Sequence, residues 1–420
     1  MNKTSQIHKL SRFPIGFWSY TNFEQIGPEA VKDYIDCGMT IVQTPRFRPE
    51  EDDVKDMITF LDACHESGLK AIVCDNRCYF WFMESLGGES GFRNSVEQAV
   101  KDFGDHPAVL GFHVGDEPNK NCVKEAFLAS AIHKEIAPEL SPFLNLGPYG
   151  PGSCDWVGYE DYGKYLDDYV RIGNPDFLCF DVYWQLLPEE NGRELYFGCL
   201  KMFTDAAKRH NLPLWITPLS VGHFRYRRPT EDLFRWQVNT AAAHGLKGFV
   251  WFFFYMREPH DNYLVPPIDE HWERTETFEW LSRVNRTFLK WHGPVLLNLE
   301  LQNVYHAGNV WAGYPKLGDN SKFVKNIEGK LPLIISEFKD NQGQDYVSIV
   351  NSSQTENDQA IVCWRGKPGL YRAGWLDTET SAYPYVRDEA NRRKPADEVM
   401  TGPWLAPGQM ELYRVETEKV

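Results

Sequence analysis

The sequence predicts an α/β fold: a (β/α)8 TIM barrel followed by an all-β sandwich domain. Three observations carry this. Eight short apolar runs alternate with amphipathic helical patterns, the signature of a parallel sheet with crossover helices. The loop after the first run, SYTNFEQ, holds no glycine, where an open doubly wound sheet would place a glycine-rich phosphate turn. Beyond residue 298 the helical pattern gives way to short strand-like runs separated by turn residues. A chain of 420 residues has room for both parts, a barrel being about 250–300 residues and a second domain about 100. The expected division is 1–298 for the barrel and 299–420 for the sandwich.

The runs follow in order. FPIGFWSY (13–20) precedes the helical pattern PEAVKDYIDCG, and MTIVQTPRF (39–47) precedes one that opens on Pro and acids and stops at Gly. LKAIVCDNRC (69–78) and AVLGFHVGDEP (108–118) are the third and fourth, and FLNLGPYGP (143–151) is the fifth. PDFLCFDVYWQ (175–185), LPLWITPLSVGHF (212–224) and KGFVWFFFYM (247–256) complete the set, and TFEWLSRVNRTFLKWHG supplies the last helix. LPLIISEF, DYVSIVNSS, QAIVCWRG, LYRAGWLD and MELYRVE are the strand-like runs of the second domain, broken by DNQG, KPG and PGQ.

Composition narrows the function. A net charge of −15 repels phosphates and anionic membranes, so neither nucleic acid nor a membrane is an expected partner. The longest apolar run, at 248–256, is too short to span a bilayer. No apolar stretch follows the basic N-terminus, so no secretory signal is read and a cytoplasmic protein is expected. Nine scattered cysteines give no disulfide framework, and Cys74 and Cys78 lack the further pair that a zinc site needs. No metal and no cofactor are expected. The sequence carries no mark of an oligomeric state.

A barrel of this kind carries its site at the C-terminal ends of its strands. There the runs offer Trp18, Asp75, Trp81, His113, Asp116, Glu117, Asn145, Asp181, Tyr183, Trp184, Trp251, Tyr255 and Glu258. Aromatic rings among carboxylates suit a neutral saccharide, whose C–H faces stack on indole and phenol rings while its hydroxyls meet the acids. Trp81, Trp184 and Trp251 lie nearest strand exits; core packing is the alternative for each. His113 lacks an HxH or HExxH context and reads as a satisfied histidine or a hydroxyl partner. The sharpest signal is GFHVGDEP (111–118), an apolar strand that delivers two adjacent acids and a proline. Burial beside a like charge keeps a glutamic acid protonated, as a general acid requires. The alternative is that Asp116 and Glu117 cap the next helix.

This fourth-strand Glu-Pro resembles the acid/base signature of the clan A glycoside hydrolases, which are (β/α)8 barrels. The resemblance implies an O-glycosyl hydrolase with Glu117 as acid/base and Asp116 in the place of the usual hydroxyl-binding Asn; Trp251 resembles the clan's eighth-strand tryptophan. Members place a nucleophilic Glu at the end of the seventh strand. This sequence has Thr217 and Pro218 there, and its next carboxylate is Glu231. Asp181 is therefore the leading second carboxylate, ahead of Asp75 and Glu258. A wide separation from Glu117 would make the enzyme inverting. A cytoplasmic hydrolase of this type would act on short oligosaccharides from a pocket. A transglycosylase with the same site, and a non-catalytic carbohydrate-binding protein on a degenerate barrel, are the competing readings.

Overall fold

Eight parallel strands, β1 (Ile15–Phe17), β2 (Ile41–Gln43), β3 (Lys70–Val73), β4 (Val109–Asp116), β5 (Ser141–Leu146), β6 (Leu178–Asp181), β7 (Leu214–Thr217) and β8 (Leu246–Trp251), form one sheet in the order β1-β8-β7-β6-β5-β4-β3-β2. The structure, a computed structural model, describes residues 5–189, 191–257, 262–374, 386–387, 393–394 and 399–416. The backbone N–H of Thr40 donates to Ile15 O at 2.8 Å, which brings β2 against β1 and curls the sheet into a barrel. Beyond their ends, β7 and β8 are joined by a Leu219–Phe252 bridge. The strands are short and almost wholly buried, as expected where residues pack on both faces of a parallel sheet.

The chain divides into two units, one of Met1–Arg228 with Lys247–Asn285 and one of Pro229–Leu246 with Arg286–Val420. In the first, helices follow the strands with local signals that the sequence makes plain. The helix Val54–Glu66 is capped by Asp53, whose side chain accepts the N–H of Lys55. It buries Met57, Phe60, Leu61 and Cys64, a helical 3-4-7 spacing. Each such side chain contributes about 1.5–3 kcal/mol by leaving water.

The second unit is a sandwich. Strands β9 (Leu299–Ala307), β10 (Val324–Glu328), β11 (Leu333–Asp340), β12 (Asp345–Asn351), β13 (Ile361–Trp364), β14 (Gly369–Arg372) and β15 (Met410–Glu416) carry it. Five of them form an antiparallel sheet ordered β9-β11-β12-β15-β14; in a second, β13 pairs with β10 on one side and Met400–Thr401 on the other. Between the sheets lie Tyr305, Val324, Ile335, Val347, Ile349, Trp364, Leu370 and Tyr413. The helix Glu231–Ala243, which follows β7 in the chain, groups with this unit. Trp236 Nε1 donates to Ser352 O at 2.9 Å and Asn239 Nδ2 to Gly408 O at 2.8 Å. Gly408 has φ +66°, and a β-carbon there would stand 2.3 Å from Trp236 Cα, so only glycine allows this approach.

Candidate active site

The site begins with an irregularity in β4. The pairing of β4 with β5 slips between His113 and Gly115, so His113 faces Phe143, while Asp116 faces Asn145. The extra residue shifts the alternation, and His113 and Asp116, three apart, share one face. Gly115 makes this turn possible: its φ is +149°, and a β-carbon would lie 2.2 Å from the Phe80 ring. Glu117 follows with φ 38°, a left-handed conformation that costs a non-glycine residue about 1–3 kcal/mol. Its N–H is held by Asn145 O at 2.9 Å. Its carboxyl lies beside Gly147, where a β-carbon would come within 3.6 Å of Glu117 Oε1.

Asn145 is the hub. Its Nδ2 donates to Asp116 Oδ1 at 3.0 Å and to Asp181 Oδ1 at 3.3 Å. Its Oδ1 accepts the Thr217 hydroxyl at 3.1 Å, and Thr217 Oγ1 accepts Trp18 Nε1 at 3.3 Å. One chain of donors therefore runs from β1 through β7 to β5 and ends on two carboxylates. Thr217 orients the Asn145 amide; a carboxylate at 217 would meet Asn145 Oδ1 with no proton to give.

Asp181 closes the cluster: it accepts from Asn145 beside Asp116, and the charge of Glu117 acts on it. Asp181 is buried, while Asp116 and Glu117 keep part of their surface. Burial is the main force that raises the proton affinity of all three. Asp116 is pushed up to about 7, first by desolvation and then by the Glu117 charge. Glu117 is raised by desolvation, which the neighbouring Asp181 offsets in part. Asp181 is raised well above the usual carboxylate range by desolvation, then by the charges of Glu117 and Asp116. Three acids this close cannot all ionise near neutrality, so the cluster retains protons.

Phenols ring it. Tyr20, Tyr183 and Tyr226 all feel the carboxylates, and burial first of all raises their proton affinity, Tyr226 up to about 12. They remain hydroxyl donors. The Arg257 guanidinium lies 3.9 Å over the Tyr20 ring and donates to Tyr263 OH at 2.9 Å. It also draws Asp116 toward ionisation, against the desolvation. Trp81 is 45% exposed and stacks on Tyr79 with centroids 5.1 Å apart. Trp184 is half-buried beside Gly150. Its Nε1, like the buried Nε2 of Gln43 at the end of β2, has no hydrogen-bond partner among the described residues.

The structure thus brings together Glu117, Asp116, Asp181, Asn145 and Tyr183, with Trp18 beneath them. Other expected site residues stand elsewhere. Asp75 is fully buried and bonded through both oxygens to Arg77, which also meets Asp102 at 2.6 Å; it balances a buried cation and is closed to substrate. Trp251 is 0% exposed and donates to Asn285 Oδ1 at 3.0 Å, a core residue. Tyr255 is buried and bonded to Tyr34 OH at 3.0 Å. His113 is packed between the Trp18 and Tyr79 rings, and burial lowers it to about 3, so it is neutral. Its Nε2 donates to Gly115 O at 3.1 Å, which braces the irregular turn. Glu258 lies outside the described residues. Asp181 stands in the same cluster as Glu117, whose charge raises its proton affinity. Sequence reasoning passed over Tyr226, Tyr263 and Arg257, which lie on loops after the seventh and eighth runs. The two-residue strands Gly222–His223 and Tyr263–Leu264 pair and bring those loops together.

Among the described residues no three His, Cys, Asp or Glu are grouped to hold a metal ion, and no helix is long and apolar enough to cross a membrane.

No known family profile and no curated protein matches this sequence. Solved structures do match its fold. A catalytic mutant of a family 42 β-galactosidase from G. stearothermophilus is similar at a TM-score of 0.66 and 8% identity, over 99% of this chain and 100% of that one. A β-galactosidase from Bacillus circulans sp. alkalophilus gives 0.61 at 9% identity, over 97% and 99%. A family 5 glycoside hydrolase from Bacteroides vulgatus ATCC 8482 gives 0.55 at 12% identity, over 96% and 89%. The chain spans 59% of the length of a β-galactosidase from the psychrophilic Marinomonas ef1, at a TM-score of 0.48. The chain has the fold of these solved glycoside hydrolases, a (β/α)8 barrel with a β-sandwich.

Proposed function

We propose that this chain is a glycoside hydrolase acting on a neutral glycoside or short oligosaccharide, with Glu117 as general acid. The observation that carries the reading is the cluster of Asp116, Glu117 and Asp181 at the strand ends, gathered around Asn145 and raised in proton affinity by burial. A carboxyl kept protonated by burial can protonate a leaving glycosidic oxygen. Asp181, beside Asp116 on the Asn145 amide, is the second carboxylate. Asn145 keeps Asp116 and Asp181 in place, and Trp81 and Trp184 offer faces for sugar rings. The likeness to solved glycoside hydrolases supports the class of reaction. A transglycosylase would use the same groups, with a saccharide hydroxyl replacing water.

One observation favours a second reading, a carbohydrate-binding protein on a degenerate barrel: Thr217 occupies the end of β7 and is committed to Asn145. Assay of the purified protein across a panel of aryl glycosides and short oligosaccharides separates the two. Turnover that falls about 10²–10⁴-fold in Glu117→Gln supports the hydrolase. Saccharide binding with no turnover across the panel refutes it, and unchanged turnover in Glu117→Gln refutes the role of Glu117.

A further inference from the structure

The loop after β7 holds an aromatic ring that the core does not use. Phe224 is 65% exposed, and its φ is +51°, the left-handed region that favours glycine. Burial does not offset that strain, yet the neighbouring chain holds the residue in place. The Phe224 N–H donates to Asn262 O at 3.1 Å, and the Tyr226 N–H closes the turn on His223 O at 2.9 Å. Arg225 pairs with Glu189, and the Arg227 N–H donates to Leu186 O at 2.9 Å. A strained turn, fixed on both flanks, thus presents an aromatic ring to solvent.

The ring belongs to the mouth of the barrel. Phe224 packs on His223 with centroids 4.3 Å apart; His223 stacks on Tyr263 at 5.0 Å and meets the edge of Tyr183 at 6.5 Å. Tyr183 follows Asp181 by two residues. Because Gly222–His223 pairs with Tyr263–Leu264, the turn lies between the loops that leave β7 and β8. Trp81, in the loop between β3 and β4, reaches β4 itself: a β-carbon at Gly115 would stand 3.2 Å from Trp81 Cζ3. In a closed ring of eight strands the β3–β4 and β7–β8 edges are opposite each other, and the arc between them carries Asp116, Asn145 and Asp181.

Resting on the hydrolase reading above, we propose that Phe224 is a second sugar platform, opposite Trp81, and that the preferred substrates are oligosaccharides with units on both rings, on either side of the acids. Each exposed ring stacks on the C–H face of a pyranose. A single sugar reaches one ring and a longer chain reaches both, so affinity rises with chain length.

The test titrates the full chain, as Glu117→Gln so that nothing is cleaved, by calorimetry. The probes are methyl β-glucoside, β-galactoside and β-mannoside and the β-1,4-linked gluco-, galacto- and manno-oligosaccharides of two to four units. Affinity is expected to rise from single sugar to oligosaccharide, and Phe224→Gly in the same background should remove about 3–10-fold of that rise. Phe224→Gly should also keep or raise Tm, because glycine relieves the turn, and Phe224→Tyr should keep the oligosaccharide affinity. Affinity independent of chain length, a loss in Phe224→Gly that is equal for single sugars and oligosaccharides, or a lowered Tm overturns the platform and leaves the hydrolase reading standing. So does a change in sedimentation in place of one in affinity, which assigns Phe224 to contact between copies of the chain. Folded protein that binds none of these sugars overturns the platform; if it also turns over nothing in the glycoside panel, the hydrolase reading falls as well.

Discussion

Asp116→Asn is expected to make the protein more stable, and increasingly so as pH rises. In the native protein Asp116 is raised from 3.8 to about 7, mainly by desolvation. Below pH 3.8 folded and unfolded forms both hold the proton, and the group contributes nothing to the difference. As pH rises further, the unfolded chain ionises freely while the folded one does not, so stability falls. The loss is complete once pH passes about 7. A shift of about 3 units at 1.36 kcal/mol each gives about 4 kcal/mol for an isolated group. Glu117 and Asp181 share the repulsion, so part of the relief passes to them, and about 1–3 kcal/mol is the expected gain at pH 8. Asparagine preserves the shape, and its carbonyl can still accept from Asn145 Nδ2. Urea unfolding of both proteins at pH 4.5 and pH 8 reads the effect directly. The two should be nearly equal in stability at the lower pH and separate at the higher. Parallel pH dependence would show that the native Asp116 proton affinity is ordinary, and the electrostatic account of the cluster would fall with it.

Other outcomes follow from the same geometry. Activity should fall on the alkaline side of the kcat/KM profile at a pH above the usual carboxylate range, because burial raises Glu117; activity undiminished at pH 9 contradicts a general acid in this cluster. Asp75→Ala should cost about 3–5 kcal/mol, because it strands the buried Arg77 cation, without altering KM of the folded enzyme; a raised KM with intact stability restores Asp75 to the substrate site. Trp251→Phe should lower Tm through loss of the Asn285 bond and leave saccharide affinity unchanged. Trp184→Ala should instead weaken saccharide binding about tenfold at near-constant Tm, as measured by calorimetry and melting.

The barrel was legible because its causes are local and repeated. Each apolar run and each capped, glycine-stopped helix is encoded within a few residues, and eight repeats leave few topologies. Glu117 was legible for a related reason: GDEP places two acids where an apolar strand ends. Asp181 emerged from FDVYW by the same rule. What a strand-end polar residue touches is a different matter, because the partner comes from distant sequence. Asp75 and Asp181 look alike in the chain, yet the first is neutralised by Arg77, two residues on, while the second accepts from Asn145, 36 positions away. Trp251 and Trp184 both follow apolar runs, but packing buries the first completely. Only the tertiary structure decided that Thr217 is the donor that orients Asn145 beneath two carboxylates. The sequence by itself determined the barrel and the acid at the end of its fourth strand; folding decided which other side chains reach that acid, because those contacts join residues up to 199 positions apart.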